Sequence, residues 1–514
     1  MTDASNDHAV FTHREIMRVF SGVALAMLMA AMDQTIVATA LPTMAHDLGS
    51  LENLPWVVTA YLLASTSTTP IYGKLSDLYG RKRVLQVAIF LFLVGSVMCA
   101  LAQSMGQLIL FRGIQGLGGG GLMALAFTII GDVVAPRERG RYQGYIGGIF
   151  ALSSVAGPLL GGVFTERLSW HWIFLINLPL GAAALLMTSR ALDRLPAGRA
   201  KPTIDYLGAA LLMGTVTSLL FVVSRAGVAL PWTSPTILGL CVLGLMMLGV
   251  FLWHERRVEE PILPLHLFRE PVVAVANPVV AVSAMVLFAG IVYLPLRSQL
   301  VAGTSATTSG FLLLPMVLGM VLGAGGGGRL ISKSGRYKVF PLAGLALAAV
   351  MYLALGLSPT VSESGLWSTL ILVPLGIGLG LVMPVMTVAV QNAVDRRDLG
   401  AATASVGFFR SLGGSVGVAV FGAVFAADVE ARLNAAGLPG ISGREVMERG
   451  PSALANLAPA ARSTAQSVFE HGFSTLFLLA AGLAVVSFML TLFLKELPLR
   501  SAADAAKAGA EVAG

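Results

Sequence analysis

Charge is scarce in this sequence. Only 12% of its 514 residues are Asp, Glu, Lys or Arg, while 56% are hydrophobic. Soluble domains carry about 25% charge, so an ordinary water-facing surface is excluded. Cysteine is scarcer still. Cys99 and Cys241 both fall in apolar stretches, which excludes a disulfide framework or a cysteine metal cluster. The histidines, His8, His13, His46, His171, His254, His266 and His471, fall at tails and run ends without ligand spacing, so no metal site is expected. The first apolar run is preceded by no cleavable leader pattern and is expected to be retained.

What the chain has in abundance is long apolar runs, with a mean hydropathy of +0.80. A run of about 20 apolar residues spans a hydrocarbon core about 30 Å thick. Fourteen such runs are read, at 17–41, 56–73, 84–104, 107–132, 142–164, 170–189, 204–223, 236–253, 272–295, 307–328, 337–357, 366–389, 401–425 and 472–494. The expected fold is an all-α, multi-pass membrane protein with 14 transmembrane helices. Of 34 Lys and Arg residues, 25 fall on one side of this arrangement and 7 on the other, with Arg112 and Arg410 inside runs. By the positive-inside rule both tails, 1–16 and 495–514, are cytoplasmic. The net charge of +7 then reports topology and attraction to anionic lipid, with no nucleic-acid partner.

Two stretches repeat. Residues 73–84 read GKLSDLYGRKRV and residues 328–339 read GRLISKSGRYKV, aligned without a gap. The chain therefore divides into two related halves, 17–190 and 272–494, with two helices inserted at 204–253. Repeats of this kind place binding sites at the midplane, between halves. Residues 426–471 are expected as an outer loop carrying short amphipathic helices.

Several residues stand out physically. Asp33 is the acid placed deepest in any run, where an ionisable group costs about 2.5–3.5 kcal/mol and is a functional candidate by default. Arg112 is its expected partner, with Gln115 one turn on and Gln34 and Tyr61 as further candidate cavity residues. In 73–84, Gly73 and Gly80 suit tight turns and close helix approach. Asp77 suits a neighbouring helix N-terminus and an Arg. Arg81, Lys82 and Arg83 are expected to hold the loop at the inner leaflet. Gly116, Gly118 and Gly121 fit G-x-G-x-x-G, but no strand precedes them, so a dinucleotide site is rejected. Gly73-Lys74 lacks the earlier glycine of a phosphate loop, so no ATP is expected. No nucleophile–base constellation is found, so an enzyme is not expected.

Five stretches together resemble the major facilitator superfamily, specifically its fourteen-helix drug:proton antiporters: 32–42 (MDQTIVATALP), 73–85, 112–121 (RGIQGLGGGG), 144–162 and 409–418 (FRSLGGSVGV). The resemblance implies a proton-coupling role for Asp33 with Arg112, and a latch at Gly73, Asp77, Gly80, Arg81 and Lys82 that closes the cytoplasmic gate. It also implies an exporter signature in helix 5, carried by Gly144, Gly157, Pro158, Gly161 and Gly162, and a helix-13 signature at Arg410, Gly413 and Gly414. Leu78 stands where the family often has Arg, Ser153 replaces one glycine, and Ser332 replaces the Asp in the second copy, whose latch is expected to be weak or absent. The implied function is proton-driven export of lipophilic small molecules, without ATP or cofactor, by a monomer in the cell's inner membrane. The alternative is export of a lipid or endogenous metabolite. With Asp33 as the single deep anion, neutral compounds and monovalent cations are expected to be preferred over dications.

Overall fold

The structure, a computed structural model, describes residues 12–48, 54–193, 204–226, 230–231, 233–304, 306–357, 365–436 and 459–499. Apart from a bridge between Ala226 and Leu230, the described regular structure is helical. The first half holds α1 (His13–Leu48), α2 (Leu54–Tyr79), α3 (Arg81–Ala100), α4 (Met105–Val133), α5 (Pro136–Arg167), α6 (Trp172–Leu175) and α7 (Asn177–Ala191). Two helices follow, α8 (Tyr206–Arg225) and α9 (Pro235–Glu255). The remainder holds α10 (Pro271–Leu300), α11 (Ala306–Phe311), α12 (Leu314–Ser334), α13 (Val339–Leu357), α14 (Gly365–Gly380), α15 (Met383–Ala393), α16 (Leu399–Ala435) and α17 (Pro459–Leu492).

Among the described residues, 13 helical segments are long and apolar enough to cross a membrane. They match the expected runs with one exception. The run at 56–73 belongs to α2, whose Ser and Thr residues at 65–69 and whose Lys74 and Asp77 make it too polar to qualify. The 26-residue α2 is still long enough to span, and packs along α4 and α16. The expected outer loop is shorter than read: α16 runs on to Ala435 and α17 starts at Pro459. Residues 437–458 lie outside the described residues, as do most of both tails.

Small residues set how the bundle closes. In the first half α4 packs against α2 and α3, and α1 against α5 and α7; in the second α10 packs against α16 and α17, and α12 against α14. The two sets meet through α2 with α16 and α5 with α12. A methyl on Gly73 would lie 2.6 Å from the carbonyl oxygen of Gly400, and one on Gly328 would overlap the carbonyl of Gly140. These two glycines occupy the same place in the sequence repeat, and both let backbones of opposite halves touch. The next aligned pair, Gly80 and Gly335, has φ of 88° and 70°, a region that disfavours side chains. The repeat in sequence is thus a repeat in geometry.

Helix α9 packs on α8, and α8 packs on both α2 and α16 at the seam. Lys74 Nζ reaches Glu260 at 2.6 Å, tying α2 to the segment after α9.

Candidate functional site

Within the first half, five helices supply one polar network built around a single carboxylate. Asp33 on α1 is fully buried. Its Oδ2 accepts from Arg112 on α4 at 2.7 Å, and its Oδ1 from Gln115 at 2.9 Å. Gln115 bridges the pair, because its own Oε1 accepts from Arg112 at 2.6 Å. Ser96 on α3 accepts from both Gln115 (2.7 Å) and Asn177 of α7 (3.0 Å), and Asn177 also reaches Asp33 at 3.5 Å. Arg112 Nε donates to the carbonyl of Val57 at 3.2 Å, and its guanidinium lies 4.3 Å from the Tyr61 ring centroid. Buried charge persists only when paired and hydrogen-bonded, and this pair is both.

The expected site residues divide here. Arg112, Gln115 and Tyr61 join Asp33. Gln34, the adjacent residue, is exposed. Asn177 and Ser96 were not anticipated. Their only signal was polarity inside apolar runs, "INLPLG" and "VGSVMCA".

A second polar set lies at the seam. Asp77 Oδ1 and Oδ2 accept from the backbone amides of Gly400 (3.1 Å) and Ala401 (3.0 Å), in the first turn of α16. These are orphan donors of a helix N-terminus, where the dipole favours an anion. Arg81 pairs with Asp77, donates to Ser76 Oγ at 2.7 Å and pairs with Asp132 at 2.7 Å. Arg81 is therefore buried between two carboxylates and does not lie at the leaflet, as expected from its basic triplet. Only its neighbours face outward: Arg83 is exposed, and Lys82 pairs with Asp193. Asp132, near the end of α4, supplies the second carboxylate.

The second copy is rebuilt. Ser332 and Lys333 offer backbone carbonyls at the end of α12, which accept from Arg137 of α5 at 3.1 and 3.3 Å. A contact expected to be weak or absent is present, and the facing helix start is again the donor; here the donor is a side chain and the acceptor is backbone, the reverse of the Asp77 contact. Between the two seams, Gln391 of α15 donates to the Phe127 carbonyl on α4 (3.0 Å) and to Thr403 (3.1 Å).

The helix-5 motif links the seam to Asp33. Gly144 approaches Gly325 of α12, whose Cα lies 3.0 Å from where a methyl would sit. Farther along α5, methyls at Gly157 and Gly161 would overlap Thr35 and Thr39 of α1, and Thr35 Oγ1 donates to the Ser153 carbonyl at 3.0 Å. Gly162 faces open space, and α5 continues unbroken through exposed Pro158. In the helix-13 motif, Gly413 and Gly414 pack against Ala281 and Phe288 of α10. Arg410 is half-buried, 5.8 Å from the Phe127 ring centroid. Among the described residues, no group of three or more potential metal ligands occurs.

Known proteins share this arrangement. The model of the Major Facilitator Superfamily matches residues 23–418. An uncharacterised MFS-type transporter of Mycobacterium tuberculosis (strain ATCC 25618 / H37Rv) is 40% identical over 95% of this chain and 70% of its own length. Multidrug resistance protein 3 of Bacillus subtilis is 38% identical over 79% of both chains. The human organic anion transporter MFSD10 (TETRAN) superposes with a TM-score of 0.63 over 93% of this chain and 99% of its own, at 16% identity, a likeness of fold alone. With paired halves meeting at glycine seams and a family match across both, the chain is a multi-pass membrane transporter, and it belongs to the Major Facilitator Superfamily.

Proposed function

We propose that this protein exports lipophilic small molecules from the cell in exchange for protons, by alternating access. The observation that carries the reading is the buried Asp33–Arg112–Gln115 network, a titratable acid held in the bundle with every oxygen engaged. Relatives named as efflux pumps support the direction of transport, and relatives named as a multidrug resistance protein and a multidrug transporter support the substrate range.

The seam contacts lie at the end carrying the basic loops, which the positive-inside rule assigns to the cytoplasm. On that reading the state is outward-facing, with Asp77 and Arg137 holding the inner gate shut and α2 completing fourteen crossings. A proton arriving from outside neutralises Asp33. The carboxyl then ceases to be Arg112's counter-ion, and Arg112 is left with Gln115, the Val57 carbonyl and the Tyr61 and Phe174 rings. Because these groups sit on α1, α2 and α4, their re-pairing shifts the helices that also carry the seam. Inward release of the proton restores the pair. One proton moving through about 150 mV supplies roughly 3.5 kcal/mol, a few hundred-fold accumulation. The test is pH-gradient-driven dye uptake into inverted membrane vesicles, expected with the wild type and absent when the gradient is collapsed.

A further inference from the structure

Arg410 is a charge that the Asp33 network does not use. It sits about 16 Å along α16 from Leu399, at 1.5 Å per residue. Phe127, whose ring it faces, is about 9 Å from the end of α4 on the same scale. The two residues belong to opposite halves, so the contact joins them where α4 meets α16, close to the Gln391–Phe127 hydrogen bond.

Three other buried arginines have acidic partners. Arg112 has Asp33, Arg81 has Asp77 and Asp132, and Arg297 has Glu470 at 3.7 Å. Among the described residues, Arg410 makes no ion pair and no hydrogen bond; its one contact of this kind is the Phe127 ring. A single aromatic face 5.8 Å away is near the limit of a useful cation–π contact and is worth about 0.5–2 kcal/mol. An unpaired guanidinium at membrane depth costs about 2.5–3.5 kcal/mol, which that contact does not offset.

The sequence-based expectation of neutral compounds and monovalent cations over dications counted Asp33 as the single deep anion. Both Asp33 oxygens are engaged inside the first half. A cationic substrate finds no unpaired carboxylate in this network; an anionic one finds an unpaired guanidinium beside an aromatic wall.

We propose that Arg410 receives the anionic group of an amphiphilic monoanion, a carboxylate on an aromatic or alkyl body, with Phe127 against the apolar part. As a statement about substrate class this rests on the export function proposed above; as a statement about binding it stands apart from transport.

The experiment uses the purified full chain in detergent at about pH 7.5, where a simple carboxylic acid is ionised. Equilibrium binding is measured for 2-naphthylacetate, its methyl ester and (2-naphthylmethyl)trimethylammonium, with dodecanoate as a lipid-like acid. The wild type is expected to bind a carboxylate at least tenfold more tightly than the ester or the ammonium. Arg410→Gln should erase that preference, and Arg410→Lys should keep part of it, since charge survives without the planar fork. Tighter dodecanoate binding with the same Arg410 dependence supports a lipid acid as occupant; tighter naphthylacetate binding supports a soluble aromatic acid. Equal binding of acid and ester to the wild type overturns the proposal without recourse to any variant, as does an intact preference in Arg410→Gln. Loss of pH-driven dye uptake alongside intact Arg410-dependent binding would remove the export reading and leave the anion site standing.

Discussion

Asp77 on α2 accepts a hydrogen bond from the backbone amide of Gly400 on α16, 3.1 Å away, and so joins the two halves of the protein across their seam. The carboxylate faces the positive end of a helix, a favourable placement worth about 0.3–1 kcal/mol before the hydrogen bonds themselves are counted. Asp77→Asn removes the charge and turns a two-oxygen acceptor into a half-acceptor. It is expected to leave expression intact and to reduce efflux several-fold, read as greater intracellular accumulation of a fluorescent dye. Ser332→Ala at the equivalent place should change little, because the atom used there is a backbone carbonyl. Equal loss at the two positions would remove the idea that the seams are chemically unequal.

Backbone contact at the other seam makes a steric prediction. A methyl on Gly328 would overlap the Gly140 carbonyl, whereas one on Gly148 meets nothing within 4 Å. Gly328→Ala should therefore hold the seam apart and abolish transport, while Gly148→Ala, on α5 and facing open space, keeps near-normal rates. Dye efflux in cells expressing each variant at matched levels checks this. Normal efflux by Gly328→Ala would show that the seam does not need to close so tightly.

Gln115 satisfies Asp33, Arg112 and Ser96 at once. Gln115→Leu, close in size, leaves all three short of a partner. Unsatisfied buried polar groups cost about 1–3 kcal/mol each. The variant is expected to unfold at a temperature several degrees lower in a thermal-shift assay, with weaker transport. An unchanged midpoint would mean that water or a rotated neighbour replaces the amide.

The halves, the repeat and the acid in α1 were legible because each leaves a local mark: a run length, a recurring string, a charge in an apolar span. Even the partner of Asp77 could be anticipated, since an acid between glycines suits a helix N-terminus. The fate of Arg81 could not. Whether the first basic residue of a triplet faces headgroups or turns inward depends on Asp132, 51 positions away on α4. Gln34, one position on from Asp33, points about 100° away from it and so lies exposed instead of inside the Arg112 network. The second seam was misjudged because Ser332 was read by its side chain, while the structure uses its carbonyl. The ends of α16 and α17 extend past the apolar runs because hydropathy marks the membrane, and helices continue into water.

The most direct measurement of proton coupling is pH-gradient-driven uptake by Asp33→Asn in inverted vesicles. The amide mimics the protonated acid permanently, so substrate binding and downhill exchange are expected to survive while uphill accumulation and proton countermovement are lost. Uphill uptake by Asp33→Asn at wild-type levels, with normal proton countermovement, would contradict Asp33 as the coupling acid.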